Sequence, residues 1–126
     1  MSVNKKILVV EDDADIRECL QEALEMIGYP SHACCNGREA LELLENIEAP
    51  SLILLDLMMP VMNGHEFCEV KKTNPKIADI PVVVVSADGN LSQKAKKLGV
   101  DGAITKPVDF AILIQITRKY CGPVSA

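Results

Sequence analysis

The chain has 126 residues, enough for one domain with a sizeable apolar core and too few for two. Its 13 Lys and Arg against 18 Asp and Glu give a net charge of −5, which argues against sequence-independent nucleic-acid binding and against docking on anionic membranes. Hydrophobic residues make up 48% but aromatics only 3%, with no Trp, so the core must be built from Val, Ile, Leu, Met and Ala.

The first element in chain order is the apolar run from Lys6 through Ile7, Leu8, Val9 and Val10, which acids end; it reads as a buried strand. Ile16, Leu20, Ala23, Leu24 and Ile27 follow at helical spacing, and Gly28 closes the pattern. Tyr29 to Cys35 is a weaker strand. Asn36 with Glu39 forms a capping-box pattern ahead of a helix carrying Leu41, Leu44 and Ile47. Ser51 to Leu55 is a third strand, ending at Asp56.

A loop containing Pro60 leads to Asn63 and Glu66, a second capping-box pattern, and to a helix with Phe67 and Val70. Pro81 to Val85 is a fourth strand, ending at Ser86. A polar helix spans Leu91 to Leu98 and stops at Gly99. Ala103, Ile104 and Thr105 form a short fifth strand that ends at Lys106 and Pro107. The last helix runs from about Asp109 to Tyr120, and residues 121–126 are expected as a frayed tail.

Five repeats of strand then helix predict an α/β, three-layer sandwich with a five-stranded parallel sheet and five helices. The expected strand order is the flavodoxin-like 2-1-3-4-5. The apolar runs are too short to span a bilayer, and the N-terminus has no secretory-signal pattern, so the expected location is the cytoplasm. Cys19, Cys34, Cys35, Cys68 and Cys121 are odd in number and lack zinc-ligand spacing, and they are expected as buried, reduced thiols.

Ligands of open α/β sheets bind beyond the carboxyl ends of the strands. Those ends are Glu11-Asp12-Asp13, Asp56, Ser86 and Lys106. In the expected order strands 1, 3, 4 and 5 are adjacent, so these acids, a hydroxyl and a lysine converge on one crevice. Carboxylates held together raise one another's pKa unless a cation lies between them. Oxygen ligands with room for water suit magnesium better than zinc. A carboxylate among a metal, a lysine and a hydroxyl has the surroundings of a nucleophile toward phosphorus. Taken singly, each of these residues reads more simply as a cap, a turn residue or a solvated side chain.

The stretches Ile7 to Asp12, Leu54 to Gly64, Val84 to Ala87 and Thr105 to Pro107 together resemble the receiver domain of two-component response regulators, of the single-domain chemotaxis type, over nearly the whole chain. The resemblance implies that Asp56 accepts a phosphoryl group. It implies that Asp12, Glu11, Asp56 and the Met58 backbone carbonyl serve a Mg2+ site. Ser86 then moves toward the phosphoryl group and Lys106 contacts it, with a cis bond to Pro107. The implied donor is a histidine kinase or histidine phosphotransfer protein, and the implied output is binding of a downstream protein target. No enzymatic role beyond self-catalysed phosphotransfer and autodephosphorylation is implied. The expected form is a monomer or weak dimer without nucleic-acid contact or membrane insertion.

Three positions depart from the pattern or leave it open. Ala103 stands where the family usually has Tyr or Phe, so the usual aromatic readout is missing. Met58 is apolar and cannot orient a hydrolytic water. Asp88, two residues past Ser86, either orients water or repels it.

Lys94, Lys96 and Lys97 read either as a solvated helix face or as part of a partner surface. Ile112, Leu113, Ile114 and Ile116 are more apolar than one buried stripe requires and are expected to include a contact surface. His32 and His65 are expected at the surface or beside a cap.

Rival readings fit less well. A flavin-binding protein needs a phosphate-cradling loop where Glu11, Asp12 and Asp13 stand. A haloacid dehalogenase-type hydrolase needs an acid where Met58 stands. A degenerate receiver that binds partners without phosphorylation is the alternative, favoured by Ala103 and opposed by the intact acids, Ser86 and Lys106.

Overall fold

A computed structural model describes residues 6–122. Five strands, β1 (Ile7–Val10), β2 (Ser31–Cys34), β3 (Leu52–Asp56), β4 (Val82–Ser86) and β5 (Gly102–Thr105), form one sheet in the order β2-β1-β3-β4-β5. Every pairing is parallel. The helices are α1 (Ala14–Ile27), α2 (Gly37–Asn46), α3 (Gly64–Thr73), α4 (Leu91–Leu98) and α5 (Phe110–Cys121). The expected architecture and strand order are both present.

Alternation along each strand divides the core in two, because successive side chains point to opposite faces. Leu8, Val10, Ile53, Leu55, Val82 and Val84 pack with Ala40, Leu44, Phe67, Leu91 and Leu98 of α2, α3 and α4. Ile7, Val9, Leu52, Leu54, Val83 and Val85 pack with Leu20, Leu24 and Leu113 of α1 and α5. The three central strands are buried on both faces, which is why β1, β3 and β4 read as unbroken apolar runs.

The helix ends follow the sequence signals. Asp13 caps α1, its carboxylate accepting the N–H groups of Asp15 and Ile16, and Gly28 ends that helix at φ +112°. Asn63 and Glu66 form the complete capping box at α3. At α2 only half of the expected box forms. The Asn36 side chain accepts the Glu39 N–H, but Glu39 reaches one residue further back, to the N–H and thiol of Cys35.

Several expectations are corrected by burial. Of the cysteines, Cys34, Cys68 and Cys121 are buried, but Cys19 lies exposed on α1 and Cys35 is half-buried; Cys19, Cys34, Cys35 and Cys68 carry free thiols. His32 is half-buried within β2 and His65 is exposed in the first turn of α3. On α5, Leu113 is buried and Ile114 and Ile116 are half-buried, so the exposed apolar groups are Phe110 and Ile112. Helix α5 takes in Cys121, with Gly122 as its C-cap, so what remains of the expected tail, 123–126, lies outside the described residues. No described helix is long and apolar enough to cross a membrane.

Gly64 determines how closely α3 approaches the end of β3. A Cβ there would lie 2.8 Å from the Asp56 carbonyl oxygen and from the Leu57 Cα, both backbone atoms with no room to yield. Gly64→Ala is expected to destabilise the protein by about 1–3 kcal/mol, the cost of overpacking a rigid site. A urea midpoint equal to that of the wild type would contradict this packing.

Candidate functional site

The register of the sheet places the polar strand ends side by side. Val10 pairs with Leu55, Asp56 with Val85, and Ser86 with Thr105, so Glu11, Asp56, Ser86 and Lys106 come to one edge. They line a crevice of about 450 Å³ together with Asp12, Met58 and Asp88. All the candidate residues of this edge are brought together. Ala103 is not among them: it lies half-buried in β5, packed against the core on the α2–α4 side.

Asp56 is the last residue of β3 and only 4% exposed. The Met58 N–H donates to its Oδ1 at 3.2 Å, and Lys106 Nζ lies 3.7 Å from its Oδ2. Burial and the neighbouring Glu11 carboxylate push its pKa up from 3.8 to about 7, against the Met58 N–H and the Lys106 charge, which pull it down.

Glu11 is buried and accepts the Asp13 N–H on Oε2. Its Oε1 lies 2.7 Å from Lys106 Nζ, a short ion pair. Lys106 thus sits closer to Glu11 than to Asp56; its own N–H donates to the Ser86 carbonyl at 2.9 Å, and its bond to Pro107 is cis. Burial alone would lower the Lys106 pKa, but the contact with Glu11 and the charges of Asp56 and Asp12 outweigh it and raise it.

One carboxylate oxygen from each of Glu11, Asp12 and Asp56 lies within 4.8 Å of the others. This donor set fits a hard divalent cation such as Mg2+. Two buried acids are crowded into low dielectric there, which a cation relieves.

Three features were not legible in the sequence. Arg17 of α1 reaches back to the Glu11 and Asp12 carbonyls. A cation in the opening turns of a helix, where the dipole disfavours it, was the available signal. Val61 stands at φ +67° in a tight turn closed by Met62 N–H on Pro60 O at 2.7 Å, an uncommon geometry for a β-branched residue. Asp88 does not face the acids freely: its carboxylate pairs with Lys94 of α4 and accepts the Asn90 N–H, while its own N–H donates to Ser86 Oγ at 3.3 Å. The Lys94 hydrogen bond, with the Asn90 N–H, holds the Asp88 pKa below its usual value.

The Asp56 shift has a consequence for stability. Because its folded pKa lies above its unfolded one, the stabilising contribution is complete below about pH 4 and is lost as pH rises through 7. Asp56→Asn removes the titrating group. Without divalent cations it is expected to raise Tm by roughly 5–10 °C at pH 8, equivalent to about 2 kcal/mol, and by almost nothing at pH 4. Thermal melts in chelator across this range check it, and a gain independent of pH would sink the assignment.

Comparison with known proteins agrees with this geometry. Residues 7–118 match the family described as response regulator receiver domain. A probable transcriptional regulator, ycf27, of Cyanophora paradoxa is 38% identical over 110 residues, covering 85% of this chain and 44% of the relative. The chain therefore spans less than half the length of that relative. The signal receiver domain of a signal transduction histidine kinase from Syntrophus aciditrophicus superimposes with TM-score 0.83 and 33% identity, over 93% of this chain and 89% of that one. The Vibrio cholerae chemotaxis protein CheY4 gives TM-score 0.84 and 26% identity, over 94% and 99%. By sequence match and by fold, the chain belongs to the response regulator receiver domain family.

Proposed function

We propose that this receiver domain is a phosphorylation switch that takes a phosphoryl group onto Asp56 from a phosphohistidine of a histidine kinase or phosphotransfer protein, in a Mg2+-dependent reaction. The observation that carries the reading is the buried Asp56 carboxylate, set between the Lys106 ammonium and the oxygen cluster it forms with Glu11 and Asp12. A nucleophile needs its charge, and an acid with its pKa near 7 is poised to give it when a cation enters.

An Asp56 oxygen attacks phosphorus as the P–N bond to the donor imidazole breaks; the electron pair returns to that nitrogen, and a P–O bond to Asp56 forms. Lys106 balances charge on the transferring oxygens, leaving Glu11 for this task. Ser86, 2% exposed at the end of β4, donates its hydroxyl to a phosphoryl oxygen. Glu11, Asp12, Asp56 and the Met58 carbonyl would hold the Mg2+ ion, which would supply neutralisation of charge on the phosphoryl oxygens. The chain modifies itself and turns over no separate substrate. We place the reaction in the cytoplasm, where phosphohistidine donors of this kind act.

Signalling then needs a route from Ser86 to a partner surface. The usual aromatic is absent at Ala103. The route we assign runs through Asp88, whose N–H holds Ser86 Oγ and whose carboxylate holds both the Asn90 N–H and Lys94. Helix α4 receives no cap from its own Asn90 side chain, so Asp88 is its tie to the switch. Displacing Ser86 therefore moves the start of α4, which also carries the exposed Lys96 and Lys97, and this is the surface we assign to a downstream protein.

Incubation with acetyl phosphate and magnesium is expected to add one phosphoryl mass to the intact protein. The gain is absent in Asp56→Asn and with chelator; an unmodified wild type that still binds beryllofluoride would point to rapid hydrolysis, and one that does not would refute the switch. For the relay, beryllofluoride is expected to change amide exchange in α4 of the wild type. In Lys94→Met the change in α4 should be lost while the site still fills; an equal response in both proteins would refute the route through Asp88.

A further inference from the structure

The three acids of the crevice are not held alike. Asp56 is fixed by a central strand and by the Met58 N–H. Glu11 is buried against Lys106 and the Asp13 N–H. Asp12 is exposed, and among the described residues no hydrogen bond holds its carboxylate. Its place beside the other two is therefore set by the backbone of the turn that leaves β1.

That turn is gripped from α1. Arg17 Nη1 donates to the Glu11 carbonyl at 2.9 Å and to the Asp12 carbonyl at 3.3 Å, so one half-buried guanidinium spans two consecutive peptide units. Asp13, the next residue, is pinned separately as the N-cap of α1. The two peptides whose orientation aims the Glu11 and Asp12 side chains are thus held by Arg17, which does not itself line the crevice.

We infer that Arg17 is a positioning residue for the metal site: by fixing the Glu11–Asp12 turn it aims both carboxylates at the point they share with Asp56. The inference rests on the reading of these acids as a Mg2+ site. Charge alone argues the opposite sign, since a cation beside the site repels a second one and its removal should tighten metal binding. Geometry argues that its removal weakens binding, as loss of an orienting partner behind metal ligands commonly does. Both bonds come from the one Nη1 nitrogen, whose two N–H groups are fixed in the guanidinium plane; lysine keeps the charge, but its rotating ammonium on a flexible stem fixes neither direction.

The experiment is calorimetric titration of the whole chain with magnesium chloride alone, for wild type, Arg17→Lys, Arg17→Met, Asp12→Asn and the Arg17→Lys/Asp12→Asn double variant. Arg17→Lys is expected to weaken Mg2+ binding about tenfold. Arg17→Met should also weaken it despite the lost positive charge. In the Asp12→Asn background the effect of Arg17→Lys should shrink, because part of what Arg17 aims is then gone. Equal affinity in wild type and Arg17→Lys, tighter binding in Arg17→Met, or full additivity in the double variant would overturn the assignment. A wild type that binds no magnesium would overturn the metal site itself and the role of Arg17 with it, an outcome distinct from the others. Melts in chelator identify any variant that is unfolded; if Arg17→Lys is, Arg17→Met decides by its sign.

Discussion

Two carboxylates, Glu11 and Asp56, share a buried crevice with one ammonium, Lys106, and the site's behaviour follows from that imbalance. Lys106 lies against Glu11 and only within 3.7 Å of Asp56, so the counter-charge is committed chiefly to one acid. The other is left with a raised pKa, neither firmly ionised nor firmly neutral near pH 7. A fold selected for stability alone would remove the second acid or add a second cation. Keeping it costs stability at neutral pH, and a ligand that brings positive charge recovers that cost as binding energy.

The sheet makes the imbalance possible. A parallel strand buried on both faces has its polar groups only at its ends, and in this order four neighbouring ends lie at one edge. Asp56 ends β3, Ser86 ends β4, and Glu11 and Lys106 follow β1 and β5 directly. Their spacing is set by the ladder rather than by flexible loops. Gly64 brings the start of α3 against the backbone of Asp56, which leaves that strand end little freedom to relax its charge by moving.

Much of this was legible in the sequence because it depends on local rules. Apolar runs ended by Glu11, Asp56, Ser86 and Lys106, with caps at Asn63 and Gly28, fix the elements, and connection rules then fix the order. What was not legible depends on the reach of long side chains and on nonlocal competition. The preference of Lys106 for Glu11 over Asp56 rests on contacts of 2.7 Å against 3.7 Å. The grip of Arg17 on two carbonyls and the clasp of Lys94 on Asp88 belong to side-chain directions that periodicity does not specify. The exposure of Cys19 and the half-burial of Cys35 follow from which stripe of α1 faces the sheet and from where β2 ends. Composition made neither distinction.

The absent aromatic at Ala103 and the clasp at Asp88 bear on each other. A ring in β5 that turns with the state of Ser86 transmits by filling or vacating space, which needs a cavity and a bulky side chain. Ala103 can do neither, and it is packed against the core. A tie through polar contacts transmits differently: Asp88 binds Ser86 through its backbone and α4 through its carboxylate, so its two ends cannot move independently. A half-exposed ion pair such as Asp88–Lys94 is weak and partly screened by salt. The proposed transmission through it would therefore be graded by ionic strength, where transmission by packing would be indifferent to it. On the proposed route, without a ring at Ala103, the connection between the strand-end edge and the surface of α4 would fall to electrostatics, the same force that leaves Asp56 unbalanced.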